Sequence, residues 1–585
     1  MKSGIMEEKM SFEKWKQMKQ ALMTVFCFLM VFACSGKPHP EKIVAASNPD
    51  LKEHSKEFRQ EVIRVAEGVH VAVGFGLANS ILLEGDDGVV IVDTMESEEA
   101  AKPVKEAFSK ISSKPVKAII YTHYHPDHAF GTTVMAGADH PEIISHETTL
   151  GHLDRIVSVT RETTYTRATR QFGTLLPEGG VVNCGIGPHL DFREHNTIGL
   201  IRPTRTFSGD RLDLTIAGIK LELVHAPGET SDQIFIWLPD KKVLLPADNF
   251  YRSFPNLYAI RGTAYRDVIL WVKSLDRMRQ LKPEVLVPCH TRPIYGKQEI
   301  YETLTDYRDA IQFVHDQTIR WINKGMTPDQ IVERVKLPNH LVGRPYLHEY
   351  YGTVEWSVRA IFDGYLGWFS GNATDLFPLP PRERAEKIAQ LAGGKDRLLE
   401  NAKLAFEQKE YQWALEVCDH VLRLEPDNRQ AKDMKAAALA TLGEKQIAST
   451  ARNYYLTQAL EVKGDITITQ RKNKEMEMVH SIPLAAIFNA LSVKLDPVKS
   501  VDTDQVVGFR FPDTGEAWSV HVRRGVAELQ PRFPENPDIT VTVDAAAWKE
   551  IVAKMRNPAM ALLKGDIQIE GGTFDLIGFL RLFET

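Results

Sequence analysis

Thr122-His123-Tyr124-His125-Pro126-Asp127-His128 decides how this 585-residue chain is read. The stretch follows Ala118-Ile119-Ile120-Tyr121, an apolar run with the composition of a buried strand. Where a strand gives way to a turn, alternate side chains share a direction. His123 and His125 therefore point together toward one cation, while Asp127 and His128 turn toward a second. No packing requirement asks for three histidines and an aspartate on one turn. Two cations a few ångströms apart produce a nucleophile at neutral pH and hold an anionic group in line with it.

Working outward, the preceding segment reads as strand, turn, strand: Val71-Ala72-Val73, then Ser80 to Glu84, the turn Gly85-Asp86-Asp87-Gly88, and Val89 to Asp93. A helix is expected from Ser97, its N-cap, to Ile111, giving an alternating strand and helix layout. Asp93 ends an apolar strand, where a carboxylate either orients a liganding histidine from behind or simply makes a turn. Downstream, Leu221 to His225 is a strand, and Pro227-Gly228 forces a turn that presents Glu229. Gln233 to Leu238 and Val243 to Leu245 form a hairpin leading to Asp248, and Val285-Leu286-Val287 runs into Cys289 and His290. Three strands thus stop near Glu229, Asp248 and His290. Cys289 reads as a small packed residue rather than a ligand. Between His140 and Asp191 lie a strand (Ile143-Ile144), a polar helix rich in Thr and Arg, and a loop with many glycines, a stretch of the kind that covers a site. Its Arg167 and Arg170 either reach an anionic substrate or stay solvated on their helix.

His-x-His-x-Asp-His, the Pro-Gly turn, the strand-end Asp and the last strand-end His resemble the metallo-beta-lactamase fold, an α/β sandwich of two sheets between helices. Glu229, where the ordinary member has histidine, together with Asn256, Arg261-Gly262, His290, Pro293 and Gly296, resembles the alkyl sulfatase branch. Tyr350-Tyr351-Gly352-Thr353-Val354, Tyr365-Leu366-Gly367-Trp368-Phe369 and Gly371-Asn372 are similar to that branch's all-α dimerisation domain. The resemblance implies two Zn2+ ions, one on His123, His125 and Glu229 and the other on Asp127, His128 and His290. Asp248 bridges them, and Glu229 and Asp248 count as catalytic carboxylates as well as ligands. Asn256 and Arg261 match sulfate-binding positions, and a tyrosine of the Tyr350-Tyr351 pair, assigned to Tyr351, joins them. A guanidinium fork suits a tetrahedral oxyanion, although a structural salt bridge would also occupy Arg261. This chain departs from the branch at Asp248, where glutamate is usual, at Tyr124 and Pro126, and at Gln171-Phe172-Gly173, where an aromatic-glycine turn carries tyrosine.

The implied division is a lipoprotein-type signal peptide over 1–34, a tether over 35–60, the catalytic domain over 61–300, the helical dimerisation domain over 301–460 and an α+β sterol-carrier-protein-like domain over 461–585. Lys16 and Lys19 precede the apolar run Ala21 to Ala33, and Val31-Phe32-Ala33-Cys34 resembles a lipoprotein cleavage site. That predicts an exported, periplasmic or outer-membrane protein held by a lipid on Cys34. Cys184, Cys289 and Cys418 form an odd, widely spaced set that predicts no disulfide framework. A net charge of -6 without a Lys/Arg block excludes a nucleic-acid partner. Aromatic residues spread through 301–369 predict an interface, and the resemblance implies a homodimer. Ala402 to Cys418 reads as one tetratricopeptide-type helix pair that packs rather than binds peptide. The C-terminal domain either gathers alkyl chains in an apolar tunnel or serves as a lid. The expected activity is hydrolysis of an alkyl sulfate ester through a metal-activated hydroxide. The alternatives are lactone, beta-lactam or phosphodiester hydrolysis on the same metal floor, or a lipid carrier with an idle hydrolase domain.

Overall fold

The computed structural model describes residues 46–157, 159–193, 195–470 and 476–583. The expected signal peptide and Cys34 lie outside the described residues. The expected tether is folded over its last part. Pro49–His54 is a helix capped by Asn48, Leu51 is fully buried, and His54 Nε2 lies 2.8 Å from the Gly185 carbonyl oxygen. Leu51 and Phe58 bring enough apolar surface to hold the segment down.

Seven strands form the first sheet in chain order: β1 (Glu61–Ala66), β2 (Val69–Val73), β3 (Ser80–Glu84), β4 (Val89–Val92), β5 (Val116–Ile120), β6 (Glu142–His146) and β7 (Arg205–Phe207). β1 to β4 are antiparallel, and β4 to β7 pair in parallel through crossovers. The second sheet is ordered β13-β12-β11-β10-β9-β8, with β8 (Arg211–Ile216), β9 (Ile219–His225), β10 (Ile234–Leu238), β11 (Val243–Leu245), β12 (Val285–Leu286) and β13 (Ile294–Tyr295). Its one parallel pair is β11 with β12.

Alternation along the strands explains the layering. Val90, Val92, Ala118 and Ile120 point between the sheets and meet Leu223, Ile236, Val243 and Leu245 from the other side. Ile91, Ile119 and Tyr121 point outward against Val104 and Phe108 of the helix Glu98–Ser109, whose N-cap is Ser97 as expected. Phe235, Trp237 and Leu244 pack outward against Trp271, Leu275 and the long helix Lys297–Ile322. The result is a helix, sheet, sheet, helix sandwich whose strands deliver their C-terminal ends to one edge.

The helical region continues from that long helix through Val354–Leu366 to Ser449–Lys463. The C-terminal region has a sheet ordered β16-β15-β14-β17-β18: β14 (Asp504–Phe511), β15 (Glu516–Arg523), β16 (Val526–Gln530), β17 (Ile539–Val543) and β18 (Ile567–Glu570). Its interior is aromatic, with Phe488, Phe509, Trp518 and Trp548 in ring contact. Among the described residues, no helix is long and apolar enough to cross a membrane.

Candidate metal centre and adjoining pocket

Four chain turns at the strand ends build the site. β5 stops at Ile120, and Pro126 opens the short helix Pro126–Ala129 at the position where its missing N–H costs nothing. That puts Asp127 and His128 on the first helical turn, two and three residues past His125. Asp248 lies in the turn Ala247–Asn249 after β11, and His290 follows β12. Residues flanking the ligands take left-handed backbone conformations although none is glycine: Asp93 at φ 57°, Ala247 at 54° and Thr291 at 65°. Such strain is held only where the surroundings over-determine it, and it gathers at functional sites. Here Asn79 supplies the constraint, donating its side-chain amide to the carbonyls of Pro288 and Thr291 on either side of His290.

All seven expected ligands come together, and all are buried. His123, His125, Glu229 and Asp248 form one group, and Asp127, His128 and His290 a second. Asp248 Oδ2 lies between them, 3.6 Å from His123 Nε2, 3.6 Å from His128 Nε2 and 3.2 Å from His290 Nε2. Asp127 Oδ2 is 3.5 Å from His128 Nε2 and 3.6 Å from His290 Nε2. Asp93 stands behind the cluster, with Oδ2 2.7 Å from His128 Nδ1, and it also accepts from the backbone N–H and hydroxyl of Thr122. His290 Nδ1 is held in the same way by the Leu77 carbonyl oxygen at 2.8 Å. These two bonds fix each ring with Nδ1 protonated and Nε2 presenting a lone pair. Cys289 is a free, buried thiol whose Sγ lies 3.1 Å from Asp93 Oδ2, behind the ligands.

The donor set fits divalent cations. His128 Nε2, His290 Nε2, Glu229 Oε2 and Asp248 Oδ1 are buried without a hydrogen-bond partner, a cost that native interiors avoid unless another ligand satisfies the atoms. Electrostatics points the same way. Burial holds His123 down to about 4 and His125 well below the ordinary imidazole range. On His128 and His290 burial acts downward too, but Asp248 and its neighbouring carboxylates outweigh it and push both rings up. Carboxylates that attract protons onto imidazoles attract metal ions onto the same lone pairs. Imidazole with carboxylate suits zinc and other first-row divalent ions alike.

One cavity opens on this cluster, with a volume of about 530 Å³. Its floor includes His125, Asp127, Glu229 and Asp248, and its wall includes Leu77, Phe130, Phe172, Ile186, Leu190 and Phe192. Arg261 enters from the side, with Nη2 3.1 Å from His125 Nε2 and its backbone N–H donated to Gln171 Oε1 at 3.0 Å. Gln171, in the stretch where the branch carries a tyrosine, thus accepts from the Arg261 backbone. Arg261 Nη1 has no partner. Tyr351 lines the cavity, whereas Tyr350 stacks on His54 and does not line it. Asn256 is buried with its amide nitrogen unpartnered, but it does not line the cavity. It contributes its carbonyl oxygen, which accepts from Arg266. Of the two cover-helix arginines, Arg167 lines the cavity, with Nε and Nη2 donated to the Ile260 carbonyl, whereas Arg170 lies outside it in a two-pronged pair with Glu461.

Sequence reasoning missed Arg266. It is 4% exposed, lines the cavity, and donates from Nη1 to Glu229 Oε1 at 2.8 Å. Burial pushes Glu229 up to about 8, against the pull of Arg266 and then Arg261. Arg266 Nε and Nη2 have no partner. A glutamate placed where the fold ordinarily has neutral histidine needs a nearby cation, and that requirement was the available signal. Glu96 was also missed. It is fully buried and accepts from the backbone N–H groups of Leu77 at 3.1 Å and Asp191 at 2.9 Å.

Family models match three consecutive segments: "Metallo-beta-lactamase superfamily" over residues 73–290, "Alkyl sulfatase dimerisation" over 327–465 and "Alkyl sulfatase C-terminal" over 472–585. A linear primary-alkylsulfatase from a Pseudomonas strain is 37% identical over 86% of this chain and 98% of its own. A second linear primary-alkylsulfatase from Pseudomonas is 30% identical, over 92% of this chain and 81% of that one. Among solved structures, the stereoselective inverting sec-alkylsulfatase Pisa1 from Pseudomonas superimposes with a TM-score of 0.86 at 26% identity, over 92% of this chain and 87% of that chain.

Proposed function

Because this chain belongs to the alkyl sulfatase family of metallo-beta-lactamase-fold hydrolases, we propose that it is a binuclear zinc enzyme that hydrolyses alkyl sulfate esters to alcohol and inorganic sulfate. The observation that carries this reading is the convergence, on one apolar-walled cavity, of ligand atoms without partners and two guanidinium groups with N–H donors to spare.

His123, His125 and Glu229 would hold one ion, Asp127, His128 and His290 the other, with Asp248 shared. Ions held there supply Lewis acidity that brings the pKa of a shared water toward neutrality. The chain's own residues do the rest. Arg261 and Arg266 offer charge-assisted hydrogen bonds to a sulfate group, which gains negative charge as its ester bond breaks. Asn256 keeps Arg266 in place through its carbonyl. Burial pushes the Tyr351 phenol up, so that it stays protonated and donates to the same anion. The wall from Leu77 to Phe192 excludes water and takes the alkyl chain.

The division into a catalytic part (61–300), a dimerisation part (301–460) and a lipid-binding C-terminal part (461–585) belongs to the same proposal, as does a homodimer. A sterol-carrier-like role in gathering alkyl chains rests on the sequence resemblance of that region, and the other reading of it is a structural lid. Export and a lipid anchor on Cys34 rest on the apolar run ending Val31-Phe32-Ala33-Cys34. The test is sulfate release from dodecyl sulfate by purified protein, with and without chelator, beside a panel of lactones, beta-lactams and phosphodiesters. Zinc-dependent release from dodecyl sulfate alone supports the reading. Equal or faster turnover of another ester overturns it. Oxygen-labelled water then identifies the bond cleaved, by where the label appears.

A further inference from the structure

The helix Arg161–Phe172 covers the cavity and lines it with Thr164, Tyr165, Ala168 and Phe172, which helical spacing places on one stripe. Beside that stripe, Arg167 and Gln171 stand on successive turns and reach the same short segment of chain before Gly262. Arg167 Nε and Nη2 donate to the Ile260 carbonyl oxygen at 3.1 and 2.6 Å, and Gln171 Oε1 accepts the Arg261 backbone N–H at 3.0 Å. Those two groups are the acceptor and the donor of one peptide bond. A planar peptide gripped at both ends by one helix cannot turn about its chain without breaking one of the bonds. The segment needs such a grip, because it lies outside every helix and strand, and its local bond is the one from Gly262 N–H to the Ala259 carbonyl oxygen at 2.9 Å. The helix also meets the far end of the side chain, where the Arg261 guanidinium carbon lies 6.0 Å from the centre of the Phe172 ring. It is anchored in its turn: Arg170 pairs with Glu461 of the helix Ser449–Lys463, and a Cβ at Gly173, which closes the cover helix at φ 65°, would come within 3.2 Å of Asn453.

We infer that Arg167 and Gln171 are positioning residues for the anion site. By holding the Ile260–Arg261 peptide they aim the Arg261 guanidinium into the cavity, so the helix that walls the alkyl chain also sets the group that meets the charged head. The inference rests on the proposed alkyl sulfatase activity for the identity of the anion, and on the hydrogen bonds alone for the clamp. Arginine carries a long, rotamer-rich side chain, and its planar fork matches a tetrahedral oxyanion only when the base of that side chain is fixed. A displacement of about 1 Å at a positioning group is enough to cost a large part of its effect. Gln171 is 1% exposed and does not line the cavity, so it acts on a bound anion through Arg261. Arg167 does line the cavity, but its Nε and Nη2 are committed to the Ile260 carbonyl. Head-group and chain recognition are thereby mounted on one element, and the cover helix belongs to the anion site as well as to its roof.

The test is a double-mutant cycle in full-length, zinc-loaded protein: Gln171→Met, Arg167→Lys and Arg261→Ala, with each of the first two also made on the Arg261→Ala background. Arg167→Lys keeps the positive charge and gives up the two-pronged hold, and it carries the cycle should Gln171→Met fail to fold. Metal content, affinity for octane-1-sulfonate by calorimetry, and kcat and KM for octyl sulfate are read for each variant. Gln171→Met is expected to keep its metal and raise the sulfonate Kd about tenfold, and Arg167→Lys about threefold, with kcat/KM for octyl sulfate falling in parallel. On the Arg261→Ala background each should change Kd by less than about 1.5-fold, because the group they position is gone. A general loss of packing would weaken binding equally with or without the Arg261 side chain. An unchanged Kd in the single variants, a loss that persists on the Arg261→Ala background, a loss of bound metal, or a wild type that does not bind the sulfonate each overturns the inference. The sulfonate reads the anion site without turnover, so wild-type protein that binds it but leaves octyl sulfate intact refutes the proposed activity, and the cycle in Kd still decides the clamp.

Discussion

Replacing Arg266 by methionine isolates the step by which this chain accommodates a third carboxylate ligand. Arg266 Nη1 and Glu229 Oε1 are 2.8 Å apart, and both side chains are 2% exposed. At an effective dielectric of 20, two unit charges at that distance attract by about 6 kcal/mol. That is a gross figure, offset by the desolvation already incurred in burying both groups. Removing the cation leaves Glu229, which burial already pushes up, either charged without a counter-charge or protonated, at a cost of about 3–5 kcal/mol if it is to stay charged, with a further ~1 kcal/mol for the bond lost to the Asn256 carbonyl. Denaturant unfolding of chelated protein should therefore show Arg266→Met destabilised by up to about 6 kcal/mol. Glu229→Gln made on that background should recover at least ~2 kcal/mol, a coupling typical of residues in direct contact. In zinc-loaded protein the cost should fall to less than half, because a cation then sits against the Glu229 carboxylate. A coupling near zero, or equal costs in chelated and zinc-loaded protein, would refute the assignment of Arg266 as the counter-charge of Glu229.

Asp93→Asn removes the acceptor that keeps His128 Nδ1 protonated, and metal affinity measured by chelator competition should fall about 10–100-fold; unchanged affinity would make Asp93 a turn residue only. Arg261→Ala should lower kcat/KM for alkyl sulfates by about 10–100-fold, as expected for one charge-assisted bond of about 1.5–3 kcal/mol, and a loss under threefold would remove it from the anion site. Burial pushes Glu96 up from 4.5 to about 7, so the folded state holds a proton that the unfolded state releases, and stability falls as pH rises through that window and levels off above it. Glu96→Gln does not titrate, so between pH 5 and pH 8 the stability difference should move in its favour by up to about 3 kcal/mol, read by denaturant unfolding; parallel pH curves would contradict this.

The parts of the site that were legible in the sequence are those fixed by local geometry. Four potential ligands on one turn after a strand leave few ways to point, and Pro126 forces the turn. Glu229, Asp248 and His290 were readable because each follows an apolar run that can only be a buried strand, and parallel or crossover strands bring such ends to one edge. What was not legible depends on tertiary packing. A lone arginine before a helix cap gives no local sign that it reaches back 37 residues to a buried glutamate, as Arg266 does. Tyr350 and Tyr351 are neighbours of the same type, and only the position of His54, delivered by the folded end of the expected tether, draws one of them away from the cavity. Arg167 and Arg170 read alike in sequence, and only packing separates them: Arg167 lines the cavity while bonding the Ile260 carbonyl, and Arg170 pairs with Glu461 outside it. Asn256 stands where the resemblance places sulfate binding, and packing decides what it meets: it is buried outside the cavity lining, its carbonyl accepts from Arg266, and its amide nitrogen has no partner.

The central claim is that seven side chains from four turns make one cradle for two cations, and that activity belongs to the filled cradle. Stepwise addition of zinc to chelated protein, with bound metal counted by elemental analysis and sulfate release from dodecyl sulfate followed at each step, tests it most directly. Saturation at two ions per chain, with full activity reached only as the second site fills and lost on Asp248→Ala, is the predicted result. Full activity in protein shown to be metal-free, or undiminished zinc binding and turnover in Asp248→Ala, would contradict it.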